Sequence, residues 1–126
     1  MNNLIRPKFI KKSWGSEIIW SMTDHYIAKT IEINPYKVTD LIVYENKEKS
    51  LIVISGTLVL AIGPCCGDEN DLEYYEFPEG WSKYIDPGMM HRYGATDKLV
   101  RIVEMSSPEL DEAIIITPVD EINLGG

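Results

Sequence analysis

The chain has 126 residues and a formal net charge of −8, with 44% hydrophobic and 25% charged side chains. That is the size and balance of one globular domain, 1–126, and it excludes a disordered chain; no run approaches the ~20 apolar residues that a helical membrane span needs. The first twelve residues hold Arg6, Lys8, Lys11 and Lys12 and no acid, so the other 114 carry 8 basic against 20 acidic side chains, a body that repels phosphate backbones and argues against nucleic-acid binding.

In chain order, residues 1–12 read as a basic arm, either a solvated tail or an edge strand. The arm has no apolar core, so it is no secretory signal; the expected compartment is the cytoplasm, with no membrane partner. Glu17–Met22 reads as a strand after Trp14-Gly15. His25–Asn34 alternates and stops at Asn34-Pro35. Val38–Tyr44 is a third strand, and charges from Glu45 to Lys49 mark a connection. Ser50–Ile62 is the longest apolar stretch, cut by a turn at Ser55-Gly56-Thr57. Cys65 and Cys66 are adjacent, lie in a loop by composition and read as reduced thiols. Glu73–Phe77, Ser82–Asp86 and His91–Ala95 are short strands separated by Pro78-Glu79-Gly80 and Asp86-Pro87-Gly88. Lys98–Met105 and Ala113–Thr117 complete the set, with a helical turn around Pro108–Glu112 between them. Nine to ten short strands with frequent turns predict an all-β sandwich or barrel.

Alternation sorts the side chains. Val38, Asp40, Ile42 and Tyr44 share one face, as do Lys49, Leu51 and Val53, and as do His25, Ile27, Lys29, Ile31 and Ile33. A charge on an apolar face costs several kcal/mol unless it is paired or hydrated. Lys29 therefore marks a pocket or a strand whose faces are exchanged.

Phe77-Pro-Glu-Gly-Trp-Ser-Lys-Tyr-Ile-Asp-Pro-Gly-Met-Met-His91 resembles the second conserved motif of the cupins, with Gly80, Pro87, Gly88 and His91 at its fixed places. Ser50-Leu-Ile-Val-Ile-Ser-Gly56 resembles the end of the first motif. Lys12-Ser-Trp-Gly-Ser-Glu17 and Val103-Glu-Met-Ser-Ser-Pro-Glu-Leu-Asp-Glu112 are similar to the entry and exit signatures of mannose-6-phosphate isomerase-like cupins; Asp120–Gly126 echoes only weakly the family's C-terminal signature and lacks its Arg. The resemblance implies a double-stranded β-helix, or jelly-roll, barrel with a central ligand cavity, often in a homodimer. It also implies carbohydrate metabolism: a divalent metal held by Gln-x-His, Glu and a second-motif His, in an isomerase acting on sugar phosphates.

Residue by residue, the ligand set is largely absent. The family's Gln, His and Glu positions hold Ile42, Tyr44 and Lys49, and only His91 matches. An ammonium in the ligand sphere opposes a cation, so no metal site and no cofactor are expected, a divalent metal through His91 being the minor reading. That reading would recruit His25 and a carboxylate such as Asp40, Glu32, Glu45 or Glu104 into a two-His, one-carboxylate centre.

The leading functional expectation is a cavity that binds a sugar phosphate or nucleotide-sugar without metal, as an isomerase or epimerase if it is an enzyme. Lys49 then holds an anionic oxygen as a point charge and His91 serves as acid or base, the candidate catalytic pair. Tyr44, Glu104, Lys29 and Asp40 are the candidate substrate-binding residues, and Arg101 either meets a phosphate or covers the outer sheet. The alternative is a catalytically inactive dimeric interaction module whose cavity is plugged by Ile42, Tyr44, Leu51 and Met90. In that case Lys49 snorkels outward and His91 is a satisfied core residue.

Overall fold

A computed structural model describes residues 6–64, 67–108 and 114–117. Short runs of β-branched and aromatic residues, cut by glycine and proline turns, form eleven strands among the described residues: β1 (Lys8–Lys12), β2 (Gly15–Met22), β3 (Ile27–Ile33), β4 (Leu41–Val43), β5 (Lys49–Ser55), β6 (Leu58–Gly63), β7 (Glu73–Phe77), β8 (Ser82–Ile85), β9 (Met90–Ala95), β10 (Val100–Ser106) and β11 (Ile114–Thr117). They build two antiparallel sheets, in the orders β1-β2-β3-β10-β5-β8 and β11-β4-β9-β6-β7. This is the two-sheet jelly roll that the sequence predicts.

The basic arm is an edge strand: β1 pairs with β2 from Lys8↔Ile19 to Lys12↔Gly15. Two predicted strands are shorter than alternation suggested. His25 lies outside β3, in an exposed turn where Thr23 Oγ1 accepts hydrogen bonds from the backbone N–H groups of His25 and Tyr26. Val38 only bridges to Gly94 before β4 begins. One 3-10 turn, Glu69–Asp71, was not anticipated; the Asp68 carboxylate caps it by accepting from the Asn70 N–H at 2.8 Å. The Cys65-Cys66 pair, the helical turn after Pro108 and the Asp120–Gly126 echo fall outside the described residues.

The Gly56 turn between β5 and β6 needs its glycine twice over. Its φ is +80°, and a Cβ there would stand 2.5 Å from the Leu99 carbonyl oxygen. That turn folds β6 back so that Leu58, Leu60 and Ile62 face Ile31, Ile33, Leu51, Val53, Val100 and Ile102 of the other sheet in one core. Each such side chain contributes ~1.5–3 kcal/mol by burial. A smaller cluster of Leu41, Val43, Ala61, Leu72 and Met90 covers the far side of the five-stranded sheet. Met90 therefore does not reach the barrel interior, and Leu51 belongs to the core. The apolar core leaves room for polar inner-face residues of β2, β3, β5, β9 and β10 to surround a cavity.

Candidate functional site

The cavity measures about 280 Å³. Ligand pockets run roughly from 300 to 1,000 Å³, so it suits a small molecule or one ring of a larger one. Register builds its charged wall. β10 stands between β3 and β5, with Glu104 opposite Lys29 on one side and Leu51 on the other. Lys49 lies two residues before Leu51 and faces the same way.

The result is an alternating line of buried or half-buried charge. Lys49 Nζ is 3.6 Å from Glu104 Oε2, Lys29 Nζ is 3.8 Å from Glu104 Oε1, and Lys29 Nζ is 3.5 Å from Glu17 Oε1. The Tyr93 hydroxyl donates to Glu104 Oε2 at 2.5 Å. Tyr93 is held in turn by Thr39, whose Oγ1 accepts from the Tyr93 N–H at 3.0 Å and whose own N–H donates to the Tyr93 carbonyl. The Tyr44 ring lies under two ammoniums, Lys47 at 4.5 Å and Lys49 at 4.8 Å from its centroid.

His91 stands behind this wall. Its Nδ1 is 3.0 Å from the Met89 carbonyl oxygen, which can only accept, so Nδ1 carries the hydrogen. Nε2 is then a bare lone pair, and it accepts from the Lys49 ammonium at 3.0 Å. Burial, reinforced by the Lys49 charge, pushes the imidazole down to about 3. Burial also lowers Lys49, against the pull of Glu104. For Glu104, burial would raise the carboxyl, but Lys49 and Lys29 overcome it and hold the group at about 2. Burial and the Glu104 charge raise Tyr93 well above its ordinary value. At neutral pH the centre holds an ionised carboxylate, a neutral imidazole and a neutral phenol.

Five of the six sequence-derived site residues line one cavity: Lys29, Asp40, Tyr44, Lys49 and Glu104. His91 does not line it and reaches it only through Lys49. Two expected roles change with that geometry. A histidine held neutral to about pH 3 is poorly suited to acid–base work near neutrality. Lys49 is already engaged by His91 and Glu104, so it braces the carboxylate rather than waiting for an anion. The plugged-cavity picture fits only in part, because Ile42 and Tyr44 line an open space while Leu51 and Met90 lie elsewhere. Arg101 pairs with Glu32 at 3.0 Å on the outer face. His25 lines a separate cleft with Tyr26, Glu48 and Ser106, so the His25–His91 centre does not form. Among the described residues no three His, Cys, Asp or Glu side chains come together as a metal group, and the one matching imidazole has its Nε2 turned to an ammonium. This donor set does not fit a divalent ion.

Sequence reasoning missed Tyr93 and Glu17. Tyr93 was legible, since it lies two residues after His91 on the same strand face. Glu17 opens a predicted strand, but its face depends on the β2 pairing. Trp14 is 5% exposed and both closes the core and lines the cavity.

No protein-family model matches the chain, and no curated protein matches it. Solved structures do. CapF from Staphylococcus aureus, a capsular polysaccharide assembling protein, superposes with a TM-score of 0.77 at 14% identity over 90% of this chain and 33% of CapF. KdgF from Halomonas sp. gives 0.67 at 14% identity over 81% of this chain and 88% of KdgF. Oxalate decarboxylase gives 0.70 at 14% identity over 86% of this chain and 30% of the enzyme. The chain thus spans about a third of the length of CapF. All three have the cupin fold, and the jelly roll described above is that fold.

Proposed function

We propose that this cupin-fold chain binds a sugar phosphate or nucleotide-sugar in its barrel cavity, and does so without a divalent metal. The observation that carries the reading is the cavity wall itself: the Lys49–Glu104–Lys29–Glu17 line, beside Tyr44, Tyr93 and Trp14. Carboxylates and ammoniums there offer acceptors and donors for ring hydroxyls, and the aromatic rings offer flat apolar surface. The position where the mannose-6-phosphate isomerase-like cupins place a metal-ligating Glu is occupied by Lys49, whose ammonium sits 3.0 Å from His91 Nε2. The name of CapF, with its link to capsular polysaccharide, supports a carbohydrate context.

The site reads as one that binds rather than isomerises. A general base works best with a pKa near the operating pH, and His91 at about 3 and Glu104 at about 2 are both far below it. Isothermal titration with hexose phosphates and nucleotide-sugars, after chelator treatment, tests the reading. Saturable binding that Glu104→Gln weakens supports it; heats at the level of dilution for every ligand would remove it.

We also propose a cytoplasmic homodimer. The outward face of the six-stranded sheet supports the dimer, since Ile52, Ile54, Tyr84 and Met105 of β5, β8 and β10 are all exposed there.

A further inference from the structure

The inner face of the six-stranded sheet continues past the cavity to the sheet edge. Glu104 stands opposite Lys29, Lys29 opposite Ile19, and Ile19 opposite Lys8. In the neighbouring row Ile31 faces Glu17, and Glu17 faces Ile10. Alternation puts Lys8, Ile10 and Lys12 on one side of β1, the side continuous with the cavity. Lys12 itself lines the cavity. Lys8 and Lys12 are both exposed. They lie in the stretch of the sequence that carries four basic residues and no acid, on a molecule of net charge −8.

The interior is different. Behind the exposed Lys12, its lining sets two lysines, Lys29 and Lys49, against three carboxylates, Glu17, Asp40 and Glu104. A phosphate dianion inside would lose its hydration without meeting net positive charge. One acceptor there is also unsatisfied: among the described residues Glu104 Oε1 is fully buried and has no hydrogen-bond partner. Lys29 Nζ, at 3.8 Å, is beyond hydrogen-bond range. A buried acceptor left in this state is costly.

We propose that the ligand enters the barrel with an uncharged, hydroxyl-bearing ring first and leaves its phosphate outside, on the β1 edge between Lys8 and Lys12. Its ring hydroxyls meet the polar side chains of the cavity lining, Glu17 and Asp40 among them. The phosphate, joined to the opposite end of the ring, lies over Ile10 within reach of both exposed ammoniums. The ligand class is therefore a glycosyl phosphate or diphosphate held by its sugar end, not a sugar phosphate buried phosphate-first. This inference rests on the proposed function and adds a direction to it.

The test uses the full chain and two variants, Lys8→Ser with Lys12→Ser, and Lys29→Met. Dissociation constants are measured for glucose 1-phosphate, mannose 1-phosphate, UDP-glucose and GDP-mannose at low and high salt. The Lys8/Lys12 variant changes only exposed side chains, so its melting curve should match the parent. The expected result is at least tenfold weaker binding of the phosphorylated ligand by that variant and a flatter salt dependence. Binding that is unchanged by Lys8→Ser with Lys12→Ser, yet abolished by Lys29→Met, would put the phosphate inside and overturn the proposal while leaving the cavity reading intact. Binding of none of the four ligands by the parent would overturn both.

Discussion

At the scale of single residues, the site follows from one exchange. A lysine stands where the resemblance to mannose-6-phosphate isomerase-like cupins expects a metal-ligating Glu, and its ammonium turns the His91 imidazole into a hydrogen-bond acceptor. Buried charge of this kind is costly to disturb. Glu104→Gln leaves Lys49 and Lys29 without their shared carboxylate, and we expect a loss of about 3–5 kcal/mol in urea unfolding. Lys49→Met should cost less, because Glu104 keeps Lys29 and the Tyr93 hydroxyl. His91 gives a pH signature. Folded, it stays neutral to about pH 3; unfolded, it takes a proton near 6.5. Between those values the unfolded state binds more protons, so stability is full above ~6.5 and falls with acid. The slope approaches about 1.4 kcal/mol per pH unit. His91→Gln should flatten the fall between pH 6 and 5, measured as urea midpoints. A slope identical in parent and variant would mean that His91 is not buried neutral. Lys49 and Glu104 were both legible as candidate site residues, Lys49 from its motif position. The reversal of His91 from acid–base group to acceptor was not, because it depends on a 3.0 Å contact between residues 42 positions apart.

At the scale of elements, turns and edges were the clearest part of the sequence. Ser55-Gly56-Thr57, Pro78-Glu79-Gly80 and Asp86-Pro87-Gly88 all became turns, and Gly56, Gly80 and Gly88 all have positive φ. Two of them separate strain from sterics. Gly80 has φ +85° and open space, with nothing within 4 Å of where a Cβ would stand, whereas a Cβ on Gly56 meets the Leu99 carbonyl. Gly80→Ala should therefore cost only the left-handed backbone penalty, ~1–2 kcal/mol, and Gly56→Ala distinctly more; thermal melts of the two variants check the order. The strand bounds that failed did so for local reasons. His25 continued the β3 alternation on paper, but the Thr23 side chain captures the next backbone N–H groups and makes a turn. Alternation also gave β10 correctly, yet it gave no hint that Glu17 of β2 would join the charged wall, since that depends on which strands are neighbours.

At the scale of the whole molecule, short β-branched runs cut by turns foretold the all-β fold, and motif order foretold the jelly roll. The basic edge and the acidic remainder were legible in the charge count; the arrangement of charge along the cavity wall was not. The outward sheet face belongs to this scale too. If it is the dimer seam, sedimentation should give twice the chain mass of 14.3 kDa, and Ile52→Lys with Ile54→Lys should return a folded monomer. A parent that sediments as a monomer at micromolar concentration would contradict the dimer. Everything proposed for the cavity turns on the Lys49 ammonium taking the place of a metal. Elemental analysis measures that without intermediaries, on untagged protein purified without chelator and then incubated with zinc, iron, manganese and nickel ions. Metal far below one ion per chain is expected in every case. Close to one ion per chain, lost in His91→Ala, would show that a metal and not the ammonium holds the site.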